Sequence, residues 1–363
     1  MARRLEADRV LFGAVVCLVL FGIVMVYSAS AVIAAQQYHS STYFLVRQVA
    51  WATLGLLLMV GVMNVDYRRL KNPMLIFPAL GLQLILLVLV LFSSLNHDTH
   101  RWLHLGPATF QPSELSKIVL IIFLAYFLSL RKNRVNDWSE TLLPVGLIAG
   151  LDVLLVLREP DFGTALALAV IVGAMLFAAG LRVAYMAYAV VASIPAIYWL
   201  VFHVGYRYRR ILAFLHPYAH SLGAGFQIIQ SYIAVGSGGI LGVGLMEGKE
   251  KLFFLPEPQT DFIFGVIGEE LGLIGGLVVL GLFGVILWRG LRAAFRAKDD
   301  FGRLLALGLT AMIVIQALVN VSVVVGLLPT KGIPLPFISY GGSSLVFSLI
   351  EMGILLNISQ NTS

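Results

Sequence analysis

Ionisable and polar residues of this chain gather in five short stretches set among apolar runs. The densest is Leu255-Pro256-Glu257-Pro258-Gln259-Thr260-Asp261-Phe262, followed by Glu269-Glu270. A carboxylate beside Phe262 and Phe264 is partly desolvated, which raises its pKa and makes it a better proton acceptor. Thr260 or Asp261 equally suits the cap of a helix starting here, where an acidic first turn favours the dipole. Glu269 and Glu270, two turns deeper, suit packing or an ion pair with a neighbouring helix better than proton transfer. In Gln111-Pro112-Ser113-Glu114-Leu115-Ser116-Lys117, Glu114 and Lys117 share a helix face. They either pair with each other or point together into a polar cavity, one ordering a hydroxyl or metal and the other meeting an anion. Arg158-Glu159-Pro160-Asp161-Phe162-Gly163-Thr164 is a turn whose Asp161 suits a helix cap or a site. Tyr206-Arg207-Tyr208-Arg209-Arg210 either anchors a helix among lipid headgroups or holds a polyanion such as pyrophosphate, since Arg makes bidentate phosphate contacts. The small residues of Ser339-Tyr340-Gly341-Gly342-Ser343-Ser344, after Pro329-Thr330-Lys331-Gly332-Ile333-Pro334, permit close helix packing.

The elements that must position these groups lie in a membrane. Of 363 residues 59% are hydrophobic and 12% charged, against about 25% charged in soluble domains; the mean hydropathy is +0.92. Apolar runs of about 20 residues, apolar on every face, match helices crossing a hydrocarbon core and not barrel strands. The pattern predicts an all-α polytopic membrane protein of about ten spans, near residues 10–33, 44–63, 73–93, 112–130, 141–157, 161–180, 184–203, 261–288, 302–328 and 337–358. The fifth and sixth are expected to form a tight hairpin. The first run is too long for a signal-peptide core and reads as a retained helix. One long connection, about 204–260, is rich in glycine; a connection of that length is functional or disordered if structureless. No second domain is expected within 1–363.

With the N-terminus inside, fifteen of the 25 Lys and Arg fall in short inner segments, among them Arg68, Arg69, Arg131, Lys132, Arg134, Arg289 and Arg292. This positive-inside bias predicts cytoplasmic termini and an outer long connection. The net charge of +6 is therefore a topology signal, not a sign of nucleic-acid binding. Cys17, the single cysteine, permits no disulfide within the chain. There is no phosphate loop, no HExxH and no Cys/His cluster, so coupling to a nucleotide is not expected. From the residues alone, the chain presents an outer site of carboxylates and cations suited to a lipid-borne anionic substrate.

Together with Met25-Val26-Tyr27-Ser28-Ala29-Ser30, these stretches resemble, in order and spacing, the SEDS family (shape, elongation, division and sporulation) over nearly the whole chain. The first helix, Gly268-Glu269-Glu270-Leu271-Gly272 and Pro329-Thr330-Lys331-Gly332 are more similar to its division branch than to its elongation branch. Phe162 stands where Leu is common, and Pro258-Gln259 replaces the usual small residue and His; neither removes an ionisable group. The resemblance implies a peptidoglycan glycosyltransferase that polymerises lipid II at the outer face of the bacterial cytoplasmic membrane. It implies a class B penicillin-binding protein and other division-machinery membrane proteins as partners, beside the surrounding lipid. Asp261 is the expected general base, with Glu114, Lys117 and Asp161 shaping the cavity. Arg101, Arg207, Arg209, Arg210 and Lys331 are expected toward pyrophosphate, Ser343 toward the cavity, and a divalent cation such as Mg or Mn as cofactor. A lipid II flippase or transporter, a non-enzymatic scaffold and an elongation role are the alternatives.

Overall fold

Prolines, glycines and charges end the apolar runs, and the helices follow them. The computed structural model describes residues 8–92, 101–105, 108–203, 205–220, 223–252, 254–330 and 332–361. The first seven helices are α1 (Arg9–Tyr38), α2 (Tyr43–Met63), α3 (Pro73–Phe92), α4 (Pro112–Leu130), α5 (Leu143–Arg158), α6 (Phe162–Ala179) and α7 (Val183–Phe202). Then come α8 (Gly205–Leu215), α9 (Ala224–Gly238), α10 (Ile263–Arg296), α11 (Asp300–Val324) and α12 (Gly342–Gln360). Among the described residues ten helices, all but α8 and α9, are long and apolar enough to cross a membrane. They coincide with the ten expected spans, and α5 packs on α6 as a hairpin.

Three boundaries differ most from expectation. Helix α1 runs on to Tyr38 because Gln36 and Gln37 do not break it. Helix α10 continues to Arg296, its basic last turns extending beyond the apolar run. Helix α12 starts at Gly342 because Pro334, Pro336 and Gly341 hold 332–341 in an irregular turn, with Phe337 buried beneath it. The connection 204–260 is not structureless, since its apolar positions recur at helical spacing in α8 and α9. The short strands β1 (Leu103–Leu105) and β2 (Ala108–Phe110) pair antiparallel just ahead of α4, with Leu103 opposite Phe110.

Helices α4, α11 and α12 are the most enclosed spans, and α7 lies outermost. Small residues set the closest approaches, as expected where lipid removes the hydrophobic drive between helices. A Cβ on Gly353 of α12 would fall 2.7 Å from the Met59 carbonyl of α2, and one on Gly22 of α1 2.6 Å from the Phe337 carbonyl. This packing places the ends of α4, α6, α10 and α12 around one cleft.

Candidate functional site

The segment before α10 is held by its own backbone. The Tyr340 N–H donates to the Gln259 carbonyl at 2.8 Å. The Ser339 hydroxyl donates to Thr260 O at 2.6 Å, and Asn320 Nδ2 to Asp261 O at 2.8 Å and Ile333 O at 2.7 Å. Three consecutive carbonyls are thus fixed by α11 and by the turn before α12. Helix α10 starts after Phe262 with no side-chain cap. The capping alternative for Asp261 is therefore not what the geometry shows: its carboxylate accepts no hydrogen bond among the described residues. It faces the cleft instead. Gly332 comes close enough that a Cβ there would lie 2.7 Å from Asp261 Oδ2, so a side chain at 332 would crowd this carboxylate. Burial, then Glu257 and Asp161, push the Asp261 carboxyl up to about 7, with Arg101 and Arg210 pulling the other way.

The cleft has two adjoining lobes, of about 240 Å³ and about 250 Å³, which share Arg101, Asp161, Glu257, Asp261 and Gly332. The first lobe adds Arg207 and Arg210 beside Phe162, Ile211 and Phe262, so cations lie next to apolar surface. The second adds Glu114, Lys117, Gln316, Tyr340 and Ser344. Glu114 and Lys117 pair at 2.8 Å while lining this lobe, and Lys117 also donates to Gln316 Oε1 at 3.1 Å. The ion pair and a place in the wall of a polar cavity thus occur together.

Asp161 caps α6, accepting from the Thr164 N–H at 3.1 Å and the Thr164 hydroxyl at 2.8 Å, with Gln111 Nε2 at 3.4 Å. Though buried, it lines both lobes. Arg101 donates to the carbonyls of Glu159 at 3.0 Å and Pro160 at 2.5 Å, fixing the α5–α6 turn. Arg210 donates to Thr330 O at 3.3 Å and Arg207 to Leu200 O at 3.2 Å.

Two expected residues stand apart from the cleft. Arg207 and Arg210 are three residues apart and share a face of α8, which turns Arg209 outward to an exposed position. Ser343 is buried with an unpartnered hydroxyl and lines neither lobe; Gly341 and Ser344, one turn apart, take that face. Lys331 lies outside the described residues. Sequence reasoning also passed over Gln316 and Asn320, although two amides four apart in an apolar helix are a readable signal. Among the described residues no three His, Cys, Asp or Glu converge to hold a metal ion.

A carboxylate set at the junction of a cationic lobe and a polar lobe can take a proton on one side while charge develops on the other. The FtsW/RodA/SpoVE family model, described as cell cycle protein, matches residues 8–363. The chain is 46% identical to a "Probable peptidoglycan glycosyltransferase FtsW" of Geobacter metallireducens, over 97% of this chain and 94% of that one. It is 40% identical to "Stage V sporulation protein E" of Bacillus subtilis, over 99% and 98%. Among solved structures it is similar to a chain described under "Structural coordination of polymerization and crosslinking by a peptidoglycan synthase complex", with a TM-score of 0.79, 33% identity and 98% of each chain covered. Thermus thermophilus rod shape determining protein RodA superposes with a TM-score of 0.73, at 29% identity and 98% coverage of each chain. The chain belongs to the FtsW/RodA/SpoVE family.

Proposed function

We propose that the chain is a division-type peptidoglycan glycosyltransferase that polymerises lipid II, with Asp261 as general base. The observation that carries the assignment of the base is the Asp261 carboxylate: uncapped, half-buried, raised to about 7 and shared by both lobes. In the step, an acceptor sugar hydroxyl gives its proton to Asp261 as its oxygen bonds to the anomeric carbon of the donor. The bond from that carbon to the pyrophosphate oxygen breaks, and undecaprenyl pyrophosphate leaves with the electron pair. Arg101, Arg207 and Arg210 face the lobe where that negative charge would collect. The apolar surface of Phe162, Ile211 and Phe262 beside them suits the start of a prenyl chain.

Among the described residues the donor set forms no resident metal cage. Mg²⁺ or Mn²⁺ fits better as an ion brought by the substrate, because such ions are held by one or two carboxylates plus phosphates; Asp161 and Glu257 are the carboxylates of both lobes free of the base's role. The cleft opens outward in this reading, with both termini cytoplasmic, supported by the Arg131, Lys132 and Arg134 group and the Arg289 to Arg296 turns at the opposite ends of their helices. A class B penicillin-binding protein is the proposed partner, supported by the similarity to a chain of a peptidoglycan synthase complex.

The test uses the purified chain with its cognate partner in liposomes containing lipid II. Asp261→Asn should fold and bind the partner yet polymerise about 10² to 10⁴-fold more slowly. For the parent, the rate should rise about tenfold per pH unit below pH 7 and level off above it, because the base works deprotonated. Normal glycan chains from Asp261→Asn, or lipid II crossing the bilayer with no polymer, would remove this reading.

A further inference from the structure

The connection between α7 and α10 contains a segment whose depth is fixed by hydrogen bonds to a spanning helix. Helix α10 is interrupted at Gly272, whose φ of 64° and ψ of −161° leave the helical region. The interruption releases backbone groups on both sides, and residues 239–244 take them up. The Val243 and Gly244 N–H groups donate to the Glu269 and Glu270 carbonyls, both at 3.0 Å. In return the Leu273 N–H donates to Gly239 O at 3.0 Å and the Ile274 N–H to Ile240 O at 3.2 Å.

Along α10 these partners fall at the outer end of a membrane-length apolar stretch and just below it. Arg289 marks the basic end of the apolar stretch of α10. A crossing of roughly 30 Å needs about 20 residues. Counted back from Trp288, that length ends near Glu269. Ile274 then lies about 7 Å deeper, and Ile240 with it. A second path runs in the same direction, since α9 passes alongside α10 from the level of Gly265 to that of Gly268 and Glu269. The Ser231 hydroxyl of α9 donates to Val324 O, at the end of α11, at 2.7 Å, and Gly238 comes two helical turns further on, about 10 Å along the axis.

Side-chain chemistry follows the same gradient. The run 240–246 is Ile-Leu-Gly-Val-Gly-Leu-Met, without a charge, and its Ile240, Leu241, Val243, Leu245 and Met246 are exposed. Charged Glu247 and Lys249 follow, both exposed, and the Lys249 N–H meets the Glu269 carboxylate and not its carbonyl. On α10 the neighbouring Leu273, Ile274, Leu277 and Val278 are exposed too, so one apolar surface runs from the span onto the turn. Irregular backbone at such depth is tolerated only where its polar groups are satisfied, and here they are. The Glu269 carboxylate accepts from Lys249 N at 2.6 Å; the Glu270 carboxylate accepts from Met246 N at 3.0 Å, Ser28 Oγ at 2.7 Å and Lys251 Nζ at 2.5 Å.

We propose that α9 and residues 239–252 form a re-entrant element that dips into the bilayer beside α10, with Ile240 to Met246 against lipid acyl chains. The occupant of this surface is lipid because the surface continues the lipid-facing side of a spanning helix at the same depth. The element leads into Leu255–Asp261, so it sets the depth of that segment in the membrane. It holds whatever reaction the cleft performs.

Spin labels on single cysteines test the depth directly. In the full-length Cys17→Ala protein, labels are placed by Leu241→Cys, Val243→Cys, Leu277→Cys, Glu247→Cys and Tyr218→Cys, and the protein is reconstituted in phosphatidylethanolamine and phosphatidylglycerol liposomes. Collision with oxygen, which concentrates in hydrocarbon, is compared with collision with a water-soluble nickel chelate. Positions 241 and 243 should match the lipid-facing 277 and exceed 247 and 218 several-fold in the oxygen-to-nickel ratio. A nickel-dominated response at 241 and 243 would place the turn in water and overturn the proposal. Low collision with both reagents at those positions would mean that protein covers them, which overturns it equally.

Discussion

Two acidic groups sit within two helical turns of each other, and their surroundings differ in kind. Glu269 and Glu270 are buried in α10, yet their oxygens accept from Lys249 N, Glu250 N, Met246 N, Ser28 Oγ and Lys251 Nζ. Asp261 is half-buried, and its carboxylate has no such donor among the described residues; Glu159, fully buried nearby, leaves both carboxyl oxygens unpartnered. Burial alone thus does not tell the two regions apart. Where the lone pairs are filled, the carboxylate is a strut for an irregular turn. Where they are open to a cleft, the carboxylate is free to take a proton from something that enters.

Breaking the filled region should have the largest effect on stability. Lys251→Met removes the cation at 2.5 Å from Glu270 and leaves a buried carboxylate short of its charge partner. Loss of one member of a buried pair typically costs about 3–5 kcal/mol, so thermal unfolding in detergent should move down by many degrees. The double variant Lys251→Met, Glu270→Leu should recover most of the loss, since the unpaired charge is gone. A Lys251→Met protein as stable as its parent would show that the pair is not a strut.

Glu159, buried beside the cleft with its lone pairs unfilled, behaves in the opposite sense. Burial, with the Asp161 charge behind it, pushes the Glu159 carboxyl up to about 9. The folded chain therefore keeps this proton between about pH 4.5 and 9 while the unfolded chain loses it, and stability falls as pH rises through that window, at up to about 1.4 kcal/mol per pH unit. Glu159→Gln carries no such proton. Its melting temperature should be at least that of the parent at pH 7, and the gap should widen toward pH 9; parallel curves would mean that Glu159 is already ionised.

Gly272→Ala tests the seam between the two regions. A φ of 64° costs a non-glycine residue about 1–2 kcal/mol, and the added Cβ would meet Ile240 O at 2.5 Å. A destabilisation of about 2 kcal/mol is expected, together with faster amide exchange at Val243 and Gly244, whose partners are the adjoining carbonyls. Unchanged exchange at those two amides would separate the helix break from the turn it supports.

Much of this was legible in the sequence because one-dimensional signals carry it. Ten apolar runs gave ten helices, and the acidic, basic and proline-rich stretches marked most of the cleft wall. What escaped depends on angles within a helix or on pairing across it. Ser343 and Ser344 differ by about 100° on α12, and only Ser344 faces the cleft. Arg209 is separated from Arg207 and Arg210 in the same way. The strands at 103–110 are too short to show a period, and the break at Gly272 lies in a run whose composition is helical on both sides. A neighbouring helix does reach Glu270 through Ser28 of α1, but the cation of the ion pair, Lys251, and the N–H donors to Glu269 come from the connection just upstream, so the ion pair was foreseeable and its charged partner was not.

Asp161 stands between the two regions, and the smallest expected effect decides to which it belongs. It is a strut in that it caps α6 through the Thr164 N–H, and open in that it lines both lobes. Thr164→Val keeps the backbone cap and the side-chain shape but removes the hydroxyl that donates to Oδ2 at 2.8 Å. A hydrogen bond to a charged acceptor is worth about 1.5–3 kcal/mol, but an opening to the cleft lets water replace it, so a stability loss of about 1 kcal/mol or less is expected. If Asp161 meets the substrate or an ion carried with it, the freed Oδ2 changes its aim, and KM for lipid II should shift a few-fold with kcat nearly constant. If Asp161 is only a cap, KM should stay at the parent value while the melting temperature falls slightly. Steady-state kinetics on the liposome-reconstituted complex, with melting curves on the same preparation, separates the two outcomes.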